Sequence, residues 1–177
     1  MAPISSWYSI VNGEKLEQGD ILTGCKLVLQ TAALVTTADG VATIDAQLVT
    51  YDIIILTQSC DLDQAKVDYA VVCPHWDLRD AQKNNPALAK SGVLDQIRKR
   101  QMPRYAMIAA CEIAGLAMAV RIVDFGQVFS VPKPYLAALA EVTGNRLRLV
   151  PPYREYIAQA FATFFMRVGL PTDIKLP

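Results

Sequence analysis

The string Thr57-Gln58-Ser59-Cys60-Asp61-Leu62-Asp63 puts small polar and nucleophilic side chains directly after the β-branched run Asp52–Leu56. The C-terminal end of a buried strand is a place where loops carry function. His75 is the single histidine of the chain and follows the next apolar run, Tyr69–Cys73. Cys60 and His75 flank neighbouring strands, so a thiol–imidazole pair is one candidate site. An imidazole beside a thiol lowers its pKa and makes a nucleophile. Asp61 or Asp77 would orient the ring, and the catalytic candidates are therefore Cys60, Asp61 and His75. The plainer reading of the same string is a strand end followed by a helix whose N-cap is Ser59 or Asp61. Zinc is a third reading, with Cys60, Cys73 and His75 as ligands and Cys25 or Cys111 as the fourth. The four cysteines lack the CxxC spacing of zinc knuckles, so they read as reduced, metal-free small hydrophobes and no cofactor is expected. Asp61, Asp63 and Asp68 lack the glycine and terminal glutamate of a calcium loop.

Formal charge is zero over 177 residues, but it is unevenly placed. Residues 1–78 carry 3 basic and 10 acidic side chains, residues 79–104 carry 7 and 2, and residues 105–177 carry 7 and 5. Arg98, Lys99, Arg100 and Arg104, with Tyr105 beside the last, form a candidate patch for phosphates, bases or an acidic partner. Arg146, Arg148 and Arg154 are a second. The neutral total argues against non-specific coating of nucleic acid. No Walker loop, GxGxxG or GxSxG string occurs.

The elements that must position these residues are read from apolar spacing. Lys26–Thr36 and Val41–Thr50 are β-rich runs around Ala38-Asp39-Gly40, which predicts a hairpin. The continuous run ending at Leu56 predicts a strand buried on both faces. Pro74 is expected to stop the following strand, and residues 75–104 read as a mostly helical insertion. Asn85-Pro86 is its N-cap and N1 pair, and Pro103 ends its last helix. Ile108–Val120 and Ile122–Val131 return to strand character, with Gly126 marking a bulge or a close backbone approach. A helix over Tyr135–Val142 closes at Gly144, and Arg146–Val150 alternates as a short strand. Ile157, Phe161, Phe164, Phe165 and Val168 form one helical stripe, which predicts a core face or the seam with a second copy. This order predicts one α+β domain over 1–177, a small β-barrel or coiled sheet with helices on one side. The longest apolar stretch is about a dozen residues, too short for a bilayer. Met1–Trp7 has no basic or long apolar lead, so the cytoplasm is the expected location.

The order of motifs resembles the MazF/PemK/CcdB-type toxin fold, an SH3-like barrel with a C-terminal helix. Gly19-Asp20-Ile21-Leu22 is similar to the family's "GDI" opening, and Asp52–Gln58 to its "PVLVLSQ" strand. Ala70-Val71-Val72-Cys73-Pro74 resembles "VVVAPIT", and Val120–Pro132 resembles "SVVLVDQIRTVDK". The resemblance implies a small SH3-like β-barrel interrupted by the insertion and followed by helices. It also implies a metal-independent ribonuclease with an Arg just before the central strand and a Thr or Ser after the "AP" pair. Here Thr50, Tyr51 and Asp52 precede the strand and His75 follows Cys73-Pro74, so no residue matches the family Arg. An aspartate at that edge repels a phosphate.

The expectation is therefore a MazF-like module without the nuclease residues. It would act through a protein partner in a bacterial toxin–antitoxin, phage-defence or stress-response system. The alternative is a sequence-specific endoribonuclease rebuilt around His75, Asp61 and the basic insertion residues. A metal or Cys–His enzyme is the weaker alternative. RNA and a second copy of the chain are the other expected partners, and a membrane is not.

Overall fold

A computed structural model describes residues 7–30, 35–36, 42–43, 45–64 and 66–166. The strands are β1 (Tyr8–Val11), β2 (Ile21–Gln30), β3 (Val35–Thr36), β4 (Ala42–Thr43), β5 (Ala46–Ile55), β6 (Tyr69–Asp77), β7 (Tyr105–Ile108), β8 (Arg121–Asp124), β9 (Phe129–Pro132) and β10 (Arg146–Leu149). The helices are α1 (Ser59–Asp63), α2 (Leu78–Asn84), α3 (Val93–Arg98), α4 (Lys133–Thr143) and α5 (Tyr153–Phe165), with a 3-10 turn at Pro86–Ala89. The architecture is α+β.

The main sheet runs β2-β5-β6-β8-β7 with every pairing antiparallel, and β9 also pairs β6. β1 and β10 form a separate pair, joined to the start of β2 by a bridge between Asp20 and Arg148. Among the described residues the hydrogen-bonded ladders remain open. These ladders do not by themselves close a barrel, although the Tyr8 hydroxyl donates to the Ala109 carbonyl. β2 and β5 make the expected hairpin, capped by the short β3–β4 ladder; the Ala38–Gly40 turn lies outside the described residues.

β5 is buried on both faces. Ile54 packs with Tyr8, Ile21, Cys73, Val123 and Ile157. Ile53 and Ile55 point the other way, onto Leu22, Val72, Leu136 and Ala140. So α5 covers one face and α4 the other, a correction to helices on one side. A third cluster, Ala81, Leu88, Ile97 and Ile122, lies under the insertion.

Three strand boundaries differ from expectation. β6 runs through Pro74 to Asp77, so the insertion begins at Leu78 and not at residue 75. On its second edge β6 pairs β9 at Tyr69–Val72 and β8 at His75–Asp77. Cys73 and Pro74 fall in the gap between these partners, where a missing N–H breaks no ladder. The expected bulge at Gly126 is a full turn that separates β8 from β9. A Cβ on Gly126 would lie 2.7 Å from Arg104 Nε, so the glycine permits that side chain to cross. Finally, of the run Ile108–Val120 only Ile108, the last residue of β7, is strand. Residues 109–120 form an irregular arm pinned by the Cys111–Met118 bridge.

α4 ends at Gly144, whose φ of 70° suits only glycine without strain. In α5, Ile157 is fully buried and Phe161 and Phe164 pack on Phe125, but Phe165 is 57% exposed. The apolar stripe is thus a core face along only part of its length; Val168 lies outside the described residues.

Candidate functional site

The string after β5 is anchored, and its contacts are structural. The Thr57 hydroxyl accepts from Val71 N–H at 2.7 Å. Ser59 Oγ accepts from Gln18 N–H at 3.1 Å, while Gln18 Nε2 donates to the Leu56 carbonyl at 2.7 Å. Gln58 occupies the N-cap of α1 without a capping side-chain bond, so neither Ser59 nor Asp61 caps it. Asp61 sits 3.9 Å from Lys66 Nζ. Cys60 is exposed and its Sγ lies 3.7 Å from Gln58 Oε1 and from Asp61 Oδ1.

Cys60 and His75 do not meet. β5 and β6 are antiparallel, with Ile55 opposite Val72 and Ile53 opposite Pro74. Cys60 therefore lies by the start of β6, and His75 near its end. Val71, beside the anchored string, is four residues from His75, roughly 13 Å at about 3.3 Å per residue. His75 is 2% exposed and its ring nitrogens have no well-formed hydrogen bond. Burial, reinforced by the Arg121 charge, pushes its pKa down to about 3 against a weak opposing effect of the Ile53 backbone. It is neutral at physiological pH. Cys73 is fully buried, and burial pushes its thiol up to about 12. Among the described residues no three His, Cys, Asp or Glu side chains gather as a metal site requires.

The basic patch is divided between two grooves. Arg104 forms a bidentate pair with buried Asp124, at 2.8 and 2.9 Å, and lines a pocket of about 430 Å³ with Tyr51, Trp76 and Asn84. Lys99 and Arg98 both clasp Asp95 at 2.6 Å. Arg98 and Arg100 border a different and larger groove of about 900 Å³ between α5 and β7. Its floor is apolar: Met107, Ile108, Ala109, Val120 and Pro152. Its wall is aromatic. Trp7 stacks on Tyr153 with ring centroids 3.9 Å apart, and the Arg100 guanidinium lies 4.4 Å over the Tyr156 ring while donating to Gln159 Oε1 at 2.9 Å.

Arg100 holds this place at a conformational cost. α3 ends with Gln101 N–H bonded to the Gln96 carbonyl and Arg100 N–H to the Ile97 carbonyl. That is the helix-ending arrangement in which glycine ordinarily takes the left-handed position. Here Arg100 takes it, at a φ of 60°. A non-glycine residue there costs about 1 kcal/mol, of the order that the cation–π contact and the Gln159 bond return.

The second sequence patch is internal. Asp20 is fully buried and accepts from Arg146 Nε and Nη2 at 3.2 and 3.0 Å and from Arg148. Arg154 pairs with its neighbour Glu155 at 2.7 Å. The groove's wall, Trp7 with Tyr153 and Tyr156, escaped the sequence reading. The usable signal was the two tyrosines spaced i, i+3 at the start of a helix after Pro151-Pro152.

Comparison with protein-family models gives no match, and neither does comparison with curated proteins. No helix among the described residues is long and apolar enough to cross a membrane.

Proposed function

We propose that this chain is a MazF-like binding module that works without the family's nuclease chemistry. In this reading it engages a protein partner in the large groove, within a cytoplasmic toxin–antitoxin, phage-defence or stress-response system. The small barrel is part of the same proposal, since the Tyr8–Ala109 contact is what would draw the open sheet's edges together. The groove itself carries the reading. An apolar floor with a strained, carboxylate-free Arg100 at its rim suits an acidic segment with aliphatic anchors.

Single-stranded RNA fits less well. Trp7 and Tyr153 already cover one another, and Arg100 covers Tyr156, so the ring faces that would stack bases are occupied. The rebuilt-nuclease alternative finds its parts apart: His75 is buried and neutral, Asp61 is at the other end of β6, and Arg104 is held by Asp124.

The test is affinity capture from the native host with the full chain and with an Arg100→Ala, Tyr156→Ala variant. One protein retained stoichiometrically by the wild type and lost by the variant is expected. Recovery of RNA, with cleavage of long single-stranded RNA that a His75→Ala, Arg104→Ala variant lacks, would replace this reading with the ribonuclease.

A further inference from the structure

A second cavity, of about 290 Å³, lies away from the partner groove, between β2, β6, β8, β10 and the arm that follows Cys111. His75, Arg121, Thr23 and Asn145 give it polar lining, and Gly115 to Met118 form one wall. Two of its polar groups are anomalous. Both ring nitrogens of His75 and Nε of Arg121 are buried without partners. Buried polar atoms are nearly always hydrogen-bonded, so orphans concentrated at one place mark a missing acceptor or donor. Their placement is dictated by the sheet. His75 stands opposite Val123 on β8, and Arg121 is two residues before Val123 on the same face.

The charges facing the cavity are one-sided. Arg121 and Arg146 line it, and none of its lining residues is acidic. Arg146 is spent on Asp20 and on the Gly13 and Lys15 carbonyls. Arg121 keeps only a 3.4 Å contact from Nη1 to Asp52 Oδ2, which leaves Nε–H pointing to no acceptor. Tyr8 nearby is buried, which raises its pKa, so it supplies no negative charge at neutral pH, and Cys111 is a buried thiol.

We propose that this cavity binds a small oxyanion, a carboxylate or phosphate group, which accepts from Arg121 Nε–H and from an N–H of His75, with the exposed turn Ile113–Ala117 moving to admit it. The chemistry favours an anion over a neutral guest: an oxygen acceptor satisfies both orphan donors at once and offsets the only incompletely paired cation there. The turn is suited to movement. Beyond the Cys111–Met118 bridge it is held by Leu116 N–H to the Ile113 carbonyl, at 2.9 Å, and by the half-buried Ile113 and Leu116 side chains on the core, while its tip, Ala114 and Gly115, is exposed and Gly115 adopts a φ of 80°.

The single histidine makes the test clean. Protein labelled in the histidine ring is titrated at constant ionic strength with inorganic phosphate, acetate or, as control, chloride. The His75 ring resonances should shift saturably with phosphate or acetate, half-complete by about 1 mM, a weak-ligand affinity. The more effective anion identifies the group as phosphate or carboxylate. Arg121→Gln should raise the half-point about tenfold or more, and Asn145→Ala is the second variant if the first fails to fold. Ring signals that ignore both anions up to about 10 mM, or that move equally in wild type and in a folded variant, would overturn the site and leave a buried water as the orphans' partner.

Discussion

Replacing Asp20 tests how the β1–β10 pair is joined to the main sheet. Its carboxylate has no exposure and accepts from Arg146, from Arg148 and from Glu17 N–H. Arg146 is itself 1% exposed. In Asp20→Ala the guanidinium keeps only its bonds to the Gly13 and Lys15 carbonyls, at 2.8 and 2.7 Å, and no counter-charge. An uncompensated buried charge of this kind costs about 3–5 kcal/mol, a fifth or more of a typical stability of ~5–15 kcal/mol. For a chain this long each kcal/mol lowers Tm by about 2–4 °C, so a drop of roughly 6–20 °C is expected. The double variant Asp20→Leu, Arg146→Met removes both charges and should recover most of the loss, since apolar replacement of a buried pair is near neutral. Urea titrations of the three proteins give the cycle. A single variant that loses less than about 1 kcal/mol, or a double variant that is the sum of two large losses, would show that the pair is not the buried, coupled unit described.

Other outcomes follow from burial. Iodoacetamide should label Cys60 alone in the native protein, because Cys25, Cys73 and Cys111 are buried, and all four cysteines after denaturation, by mass spectrometry. Because His75 has its pKa lowered from 6.5 to about 3 on folding, the unfolded chain binds the extra proton between those values. Stability from this group is complete above about 6.5 and is lost as pH falls, by up to about 1.4 kcal/mol per pH unit, and His75→Gln should remove that slope from urea unfolding at pH 4 to 6. Phe125→Ala, at a fully buried ring, should cost about 3–5 kcal/mol, and Phe165→Ala under ~1 kcal/mol, since that ring is mostly in solvent. Gly126→Ala should displace Arg104 from Asp124 and lower Tm measurably; an unchanged melting curve would mean that the side chain finds another route.

Local pattern made much of the fold legible. The unbroken run at Asp52–Leu56 marked a strand with two covered faces, and the helix stop at Gly144 followed from glycine placement, whereas α3 ends at Arg98, short of the expected stop at Pro103. What local pattern does not carry is partner choice. Pro74 ends a strand only if both edges are paired there, and β6 changes partner at that residue. The run Ile108–Val120 has strand composition but no strand to pair beyond Ile108, so its residues fill the arm over the oxyanion cavity. The Cys60–His75 pairing failed on direction. Residues that follow one strand and end the next are neighbours only when the strands are parallel, and β5 and β6 pair antiparallel, a choice that a thirteen-residue connection with one short helix leaves open.

Counting charge gave the insertion a strongly basic character, but a count is not a field. Among the basic residues singled out by sequence, Arg98, Lys99, Arg104, Arg146, Arg148 and Arg154 each sit against a carboxylate. Arg100 instead rests on an aromatic face and an amide with no carboxylate, and it alone of these takes a backbone conformation that disfavours its side chain. Charges already paired contribute little to steering an anion, because each carboxylate cancels most of the potential beyond a few ångströms. A partner in the proposed groove would therefore meet one guanidinium free of a carboxylate and gain its affinity chiefly from the apolar floor. Salt should weaken binding there far less than the insertion's seven basic side chains against two acidic ones would suggest, and loss of Arg100 should matter more than loss of Arg98 and Lys99 together.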